Sequence, residues 1–505
     1  MKTNFPRRNF LKSTAAAGAW LGLADLGFLA QLPSVSAADA RLNPSLVRFD
    51  PQMEPLVRLL EDTPRDRLLE EVGQRIQNGL SYRELLCALL LAGVRNIQPR
   101  PVGFKFHAVL VINAAHQASL ASPDSDRWLP IFWALDAFKD SQARNRREGD
   151  WTMSAVDENA VPAADKARAA FVAAMDNWDP AATDVAVAGL ARSAGANEMF
   201  EMFCRYGVRD FREIGHKAIY VANTWRTLSA IGWQHSEPIL RSLAYAILDH
   251  EGENPAKRDA SPDRPWRRNL DVVGKIRSDW LQGKPDPAAT RELLNHLRVA
   301  GPDEASDKVI ALLNRGVATS SLWDALFQAA GEQVMRAPGI VPMHAMTSTN
   351  AIHFAFQHSG HDETRRLLLL QNAAFLTLFR GNPTGDKGVK IDTFDPAPGV
   401  VGGQNSLADI FSLISSDRPK AAAEALAWLQ REGRPQDFMH QARRLFFLKG
   451  RDAHDYKFSA AVLEDYQHLS PAVRDRYLAS SVFRLRGAGD TDNDLVRRTR
   501  AALKA

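Results

Sequence analysis

Residues 104–116 read FKFHAVLVINAAH, and residues 341–353 read VPMHAMTSTNAIH. Both carry His-Ala, four further residues, then Asn-Ala-x-His: His107 with Asn113 and His116, His344 with Asn350 and His353. A looser copy starts at Lys217-Ala218 and continues to Asn223 and Arg226. Apolar residues around each phrase recur at spacings of three and four, which predicts a helix. A polar phrase kept at three places in one chain predicts an internal repeat of helical units.

The flanking sequence repeats in the same order. Around the first phrase, a helix from about Arg65 ends at Gly79, and Ser81 with Glu84 forms a capping box for the next. The phrase helix follows, then a fourth helix through Trp128 to Lys139. Units of four helices fall near 62–140, 180–250 and 304–380. An eroded fourth lies near 420–487, where Gly433 and Gly450 end successive helices and Tyr456–Glu464 holds the phrase position without its Asn. Strand patterns are almost absent, so the fold is all-α. Such units cannot bury their apolar faces singly, so residues 38–505 are expected to form one domain, a helical-repeat solenoid or α/α toroid. Irregular insertions are expected at 143–180, 251–270 and 381–405, the last a flexible connection or lid.

Composition sets bounds. At 505 residues, 45% hydrophobic and 24% charged, the chain is of ordinary folded type. Residues 1–37 supply +3 of the net charge of +4, so the remainder is near neutral and offers no electrostatic case for nucleic acid or anionic membranes. No stable membrane span is expected beyond residue 37. Cys87 and Cys204 sit in apolar helical runs, which favours buried free thiols.

Arg7-Arg8-Asn9-Phe10-Leu11-Lys12 resembles the twin-arginine (Tat) export signature, followed by an Ala/Gly/Leu stretch and small residues at Val35-Ser36-Ala37. Residues 1–37 are therefore expected to be a removed signal, with the Tat machinery as partner and a periplasmic or extracellular location. The pathway exports folded proteins, which fits a cofactor inserted beforehand. Phe104-Lys105-Phe106-His107 and Gly232-Trp233-Gln234-His235 are similar to phrases in a family of Tat-exported, all-helical bacterial proteins, from which no activity carries over. Asn314–Thr319 resembles a hairpin of carboxymuconolactone decarboxylase-type helical proteins, but the Cys-x-x-Cys and His of that family's site are absent.

Asn113 and His116 are three apart and share a helix face, as do Asn350 with His353 and Asn223 with Arg226. His107 and His116 are nine apart, on opposite faces, so one phrase helix cannot chelate an ion with both. A site would need several units whose Asn faces converge. His116, His216 and His353 are the expected metal ligands, for Fe, Cu or Zn. Tyr220, Arg226, Asn113, Asn223 and Asn350 are the candidate catalytic groups, and His107, Lys217 and His344 the candidate cofactor contacts. Asp136, Asp249 and His250 are possible additions. Against these stand structural roles: Asn and His can fix helix register, and His235, His361 and His468 stand where a fourth helix begins. Trp128, Trp133, Trp225 and Trp233 read as core.

Three functions compete: an exported metal- or cofactor-dependent enzyme, an oxidoreductase in class, a solenoid binding a periplasmic partner, and a lyase or hydrolase acting on an acidic polysaccharide. The substrate would be a small molecule or a carbohydrate. The repeated His/Asn set and the Tat resemblance favour the first.

Overall fold

The computed structural model describes residues 45–380, 388–396 and 406–504. The expected signal at 1–37, and most of the expected lid at 381–405, lie outside them. The chain divides into two compact units, Met1–Leu46 and Val47–Ala505. Only Ser45 and Leu46 of the first are described, and every helix described belongs to the second. It is all-α, with no strand among the described residues. No helix among them is long and apolar enough to cross a membrane.

The helices around the first phrase are Arg65–Gln77, Tyr82–Asn96, His107–Leu110 with Ile112–Leu120, and Leu129–Arg147. The Ser81–Glu84 capping box is present at the start of Tyr82–Asn96. That helix is buried on nearly all sides, Leu85 to Leu91 included, which is why its sequence is apolar all round rather than striped. Around the second phrase lie Pro180–Ser193, Ala196–Gly207, His216–Ile231 and Ser236–Ile247. Pro302–Asn314, Thr319–Arg336, Ile340–His358 and Asp362–Leu378 accompany the third. Arg418–Glu432, Pro435–Lys449, Ala453–Asp465 and Arg474–Ser480 occupy 420–487.

The phrase helices pack on one another in cyclic order. His216–Ile231 lies against Ile340–His358, which meets Ala453–Asp465; that helix meets Ile112–Leu120, which returns to His216–Ile231. Residues at their N-terminal ends meet one another, and so do residues two turns further on. The four therefore run parallel, with the other helices carrying the chain back outside them.

The structure departs from two expectations. The last helix of the fourth group is shorter than Pro471–Arg486: it stops at Ser480 and gives way to a 3-10 turn, Ser481–Phe483. The buried Ser480 and Ser481 hydroxyls donate to the carbonyls of Tyr477 and Leu478, an alternative to the next helical turn. The insertions at 143–180 and 251–270 hold helices of their own, Ala164–Asp176 and Arg264–Val272. The first buries Phe171 and Met175, four apart on one face. Cys87 and Cys204 are free and buried.

Beyond the four groups, Asp494–Ala502 packs on Arg65–Gln77. Arg498 forks onto Glu70 there, at 2.8 and 2.7 Å. Gly73 makes the approach possible, since a Cβ would stand 2.3 Å from the Ala502 carbonyl oxygen.

Candidate metal centre

Four imidazoles meet at the N-terminal end of the helix ring: His107, His216, His344 and His454, one from each phrase helix. Adjacent ring centroids lie 4.9 Å (His107–His216), 4.4 Å (His216–His344), 5.4 Å (His344–His454) and 4.4 Å (His454–His107) apart. His107, His344 and His454 each offer a ligand nitrogen within 4.8 Å of the other two.

The backbone sets which nitrogen faces inward. His107 Nδ1 lies 2.9 Å from the Phe104 carbonyl, His216 Nδ1 2.8 Å from that of Glu213, and His344 Nδ1 2.7 Å from that of Ile340. A carbonyl only accepts, so in each ring Nδ1 is the donor and the neutral ring's lone pair sits on Nε2. Those lone pairs meet: His107 Nε2 and His344 Nε2 each lie 2.9 Å from His216 Nε2. His454 turns Nδ1 to Asp452, 3.4 Å away, while its buried Nε2 has no hydrogen-bond partner. Two of the loops that aim these rings are backbone outliers. Phe104 and Ile214 have φ of 45° and 43° without being glycine. Next to Ile214, Gly215 has φ 84°, and a Cβ there would stand 2.0 Å from Ser348 Oγ.

Protonation does not resolve the contacts. Burial first, then the Lys457 ammonium, pushes the pKa values of His107, His216 and His344 far below the ordinary imidazole range. Lys457 is fully buried, its Nζ 3.5 Å from His216 Nε2, and burial brings it down to about 7. The single His216 lone pair thus faces two other lone pairs and one amine. At Asp452 burial acts upward, but His454, through ring and backbone N–H, outweighs it and holds the carboxyl at about 2.

A second polar layer lies further along the same helices. Asn113 Nδ2 donates to Asn223 Oδ1 at 3.3 Å, and Asn223 Nδ2 to the Leu110 carbonyl at 2.9 Å. Arg226 reaches Glu464 at 2.6 Å and Asn350 Oδ1 at 3.2 Å. Asn350 Nδ2 donates to Glu464 and Asp465, both at 2.7 Å, and Tyr477 OH to Asp465 at 2.7 Å. The space between Asn113, Asn223, Arg226, Asn350 and Lys457 is about 20 Å³, room for one water.

The remaining candidates lie elsewhere. His116 Nδ1 is 2.9 Å from Tyr82 OH, on the outer side of its helix. His353 is enclosed by Trp323, Phe327, Phe356 and His468. Tyr220 is buried and donates to Ser242 Oγ at 3.0 Å. Lys217 Nζ is held by both Asp210 oxygens at 2.9 Å and by the Asp249 carbonyl. Asp136 pairs with Arg65, and His250 stacks edge-on against Trp178. His361 caps its helix by accepting from Thr364 N–H, whereas His235 makes no such bond. Trp133 is buried, while Trp128, Trp225 and Trp233 are partly buried against the core.

Of the expected metal ligands His216 is in the ring, and His107 and His344, expected as cofactor contacts, join it. Sequence reasoning missed His454 and Lys457 because residues 453–465 lack the Asn that anchors the alignment. A trace was present: Asp452 and His454 open that helix two residues past Gly450.

A cavity of about 650 Å³ reaches the ring through His107 and Asp452. Comparison with protein-family models, with curated proteins and with solved structures finds no match for this chain.

Proposed function

We propose that His107, His216, His344 and His454 hold one transition-metal ion through Nε2, and that the protein is an exported metal-dependent enzyme whose substrate enters by the cavity beside His107. The contact of three Nε2 lone pairs across two 2.9 Å gaps carries this reading, since a cation with empty orbitals turns that repulsion into bonding. Three of the rings give Nδ1–H to a carbonyl and the fourth faces a carboxylate, the outer support that orients metal-bound imidazoles. The strained Phe104 and Ile214 fit backbone held off its minimum to aim a functional group.

Metal–nitrogen bonds of about 2.0–2.1 Å give N···N edges of about 2.9 Å at right angles and about 3.3 Å in a tetrahedron. The 2.9 Å edges favour a tetragonal or octahedral ion, copper or iron, over tetrahedral zinc. Neutral imidazoles leave the ion's charge uncompensated, which suits polarising a substrate oxygen or nitrogen, and for copper or iron suits electron transfer as well. The Arg7-Arg8 signature is consistent with folding around the ion before export to the periplasm.

The test is elemental analysis of the folded protein after expression with copper, iron or zinc, beside His216→Ala, His344→Ala and the controls His116→Ala and His353→Ala. One ion per chain, lost in the first two variants and kept in the controls, is expected. A folded protein that takes up none of the three metals, or a His216→Ala/His344→Ala double variant that keeps its ion, would sink the reading.

A further inference from the structure

The cavity that opens on the histidine ring has a charge pattern of its own. Asp136, Asp140, Asp452, Asp492 and Asp494 line it. Only Arg65 and Arg451 oppose them from its walls. Arg65 is already engaged, forked onto Asp136 and bonded to Asp140 at 2.8 Å. Asp492 meets Lys449 from outside the cavity at 2.8 Å, whereas Asp494 has no cationic partner among the described residues. The Arg451 side chain likewise has no carboxylate partner among the described residues, but five carboxylates against two guanidiniums still leave the walls with an excess of negative charge.

The floor is of a different kind. Ala108, Ala137 and Trp133 supply apolar surface, the indole stacked on Tyr456 with centroids 4.2 Å apart. Stacking fixes the plane of Trp133, a rigid surface for an apolar body. Ser141 also lines the cavity. It is 9% exposed, and its hydroxyl has no hydrogen-bond partner among the described residues. This hydroxyl, on a largely buried residue but open to the cavity, offers a donor and an acceptor to a ligand atom.

We infer that this cavity binds an organic cation, an ammonium group on an apolar body, with the ammonium among the rim carboxylates and the body against Trp133 toward His107. It rests on the metal reading only in placing an ion at the inner end; the rim and floor belong to the chain itself. Anions are repelled by the rim, and neutral molecules of the same shape lose the ion pair.

Three probes of one shape separate the possibilities: benzylamine, benzyl alcohol and benzoate, titrated calorimetrically into the metal-loaded protein and into the same protein after chelation. Benzylamine should bind at least tenfold tighter than benzyl alcohol in both forms, benzoate should not bind, and added salt should weaken benzylamine alone. In Asp140→Asn/Asp492→Asn/Asp494→Asn, all rim positions, the amine preference should fall about tenfold while benzyl alcohol is unaffected. Should that variant not fold, the wild-type comparison and its salt dependence still decide. Equal binding of amine and alcohol, tighter binding of benzoate, or no binding of any probe overturns the inference. Metal content is measured separately on each sample, so a protein without metal that still prefers the amine defeats the metal centre and leaves this inference standing.

Discussion

Two polar layers share the interior of one helix ring, and they are built on opposite terms. In the Asn/Arg layer most donors meet acceptors: Asn113 with Asn223, Arg226 and Asn350 with Glu464, Asn350 and Tyr477 with Asp465, with the Arg226 Nε left over. In the histidine layer, two turns away, Nε2 acceptors meet one another, with only the Lys457 amine, 3.5 Å from His216 Nε2, as a donor, and the His454 Nε2 meets nothing. The burial is similar, so depth does not separate them. A hydrogen-bonded network fixes the register of parallel helices, whereas lone pairs that face one another are costly to bury.

Breaking the histidine layer should have the largest effect. His216→Ala removes the ring that contacts two others, and metal affinity should fall by about a thousandfold, on the order of 4 kcal/mol, with the fold retained; competition against a chelator measures it. Breaking the Asn/Arg layer should do the reverse. Arg226→Ala leaves Glu464 with Asn350 as a partner but without its cation, and should destabilise the protein by about 1–2 kcal/mol in denaturant unfolding while leaving metal affinity unchanged. If Arg226→Ala empties the metal site instead, the two layers are one functional unit and the contrast fails.

Finer cuts sharpen the comparison. Asp452→Asn keeps the helix cap but weakens the acceptor facing His454 Nδ1, and should lower metal affinity by about tenfold to a hundredfold without altering stability. A pH series on metal-free protein probes a histidine outside both layers. Burial among aromatic rings holds His353 down at about 3, against 6.5 for an unperturbed imidazole. The unfolded chain then binds a proton that the folded one does not, so the contribution is whole above pH 6.5 and drains away as pH falls toward 3. His353→Leu should flatten the stability profile over that window by up to about 1.4 kcal/mol per pH unit. Equal slopes in variant and wild type would mean that His353 titrates normally.

Much of this architecture is legible in the sequence. The all-α class follows from the three-and-four spacing, and the Ser81–Glu84 box marks a helix start that the structure shows. The phrase also marks helices that pack on one another in the structure, because polar residues repeated in apolar sequence must be satisfied or used. Site assignment within the phrase is less legible. Lys217 aligns with His107 and His344, yet the residue beside it, His216, enters the ring, and Lys217 turns to Asp210. Adjacent helical residues differ by about 100° in direction, so an alignment offset by one residue exchanges an inward group for an outward one. His454 could not be aligned at all, since residues 453–465 contain no Asn.

The sequence by itself determined that the chain is helical, where most helices begin and end, and which segments carry repeated polar groups. Those are local properties, set by periodicity, caps and glycines over a few residues. Only the tertiary structure decided which imidazole nitrogens face one another, that the fourth helix completes the ring, and that an acidic cavity opens beside it. Each depends on loop conformations such as those at Phe104 and Ile214, and on the angular setting of helices far apart in the chain, which no local pattern records.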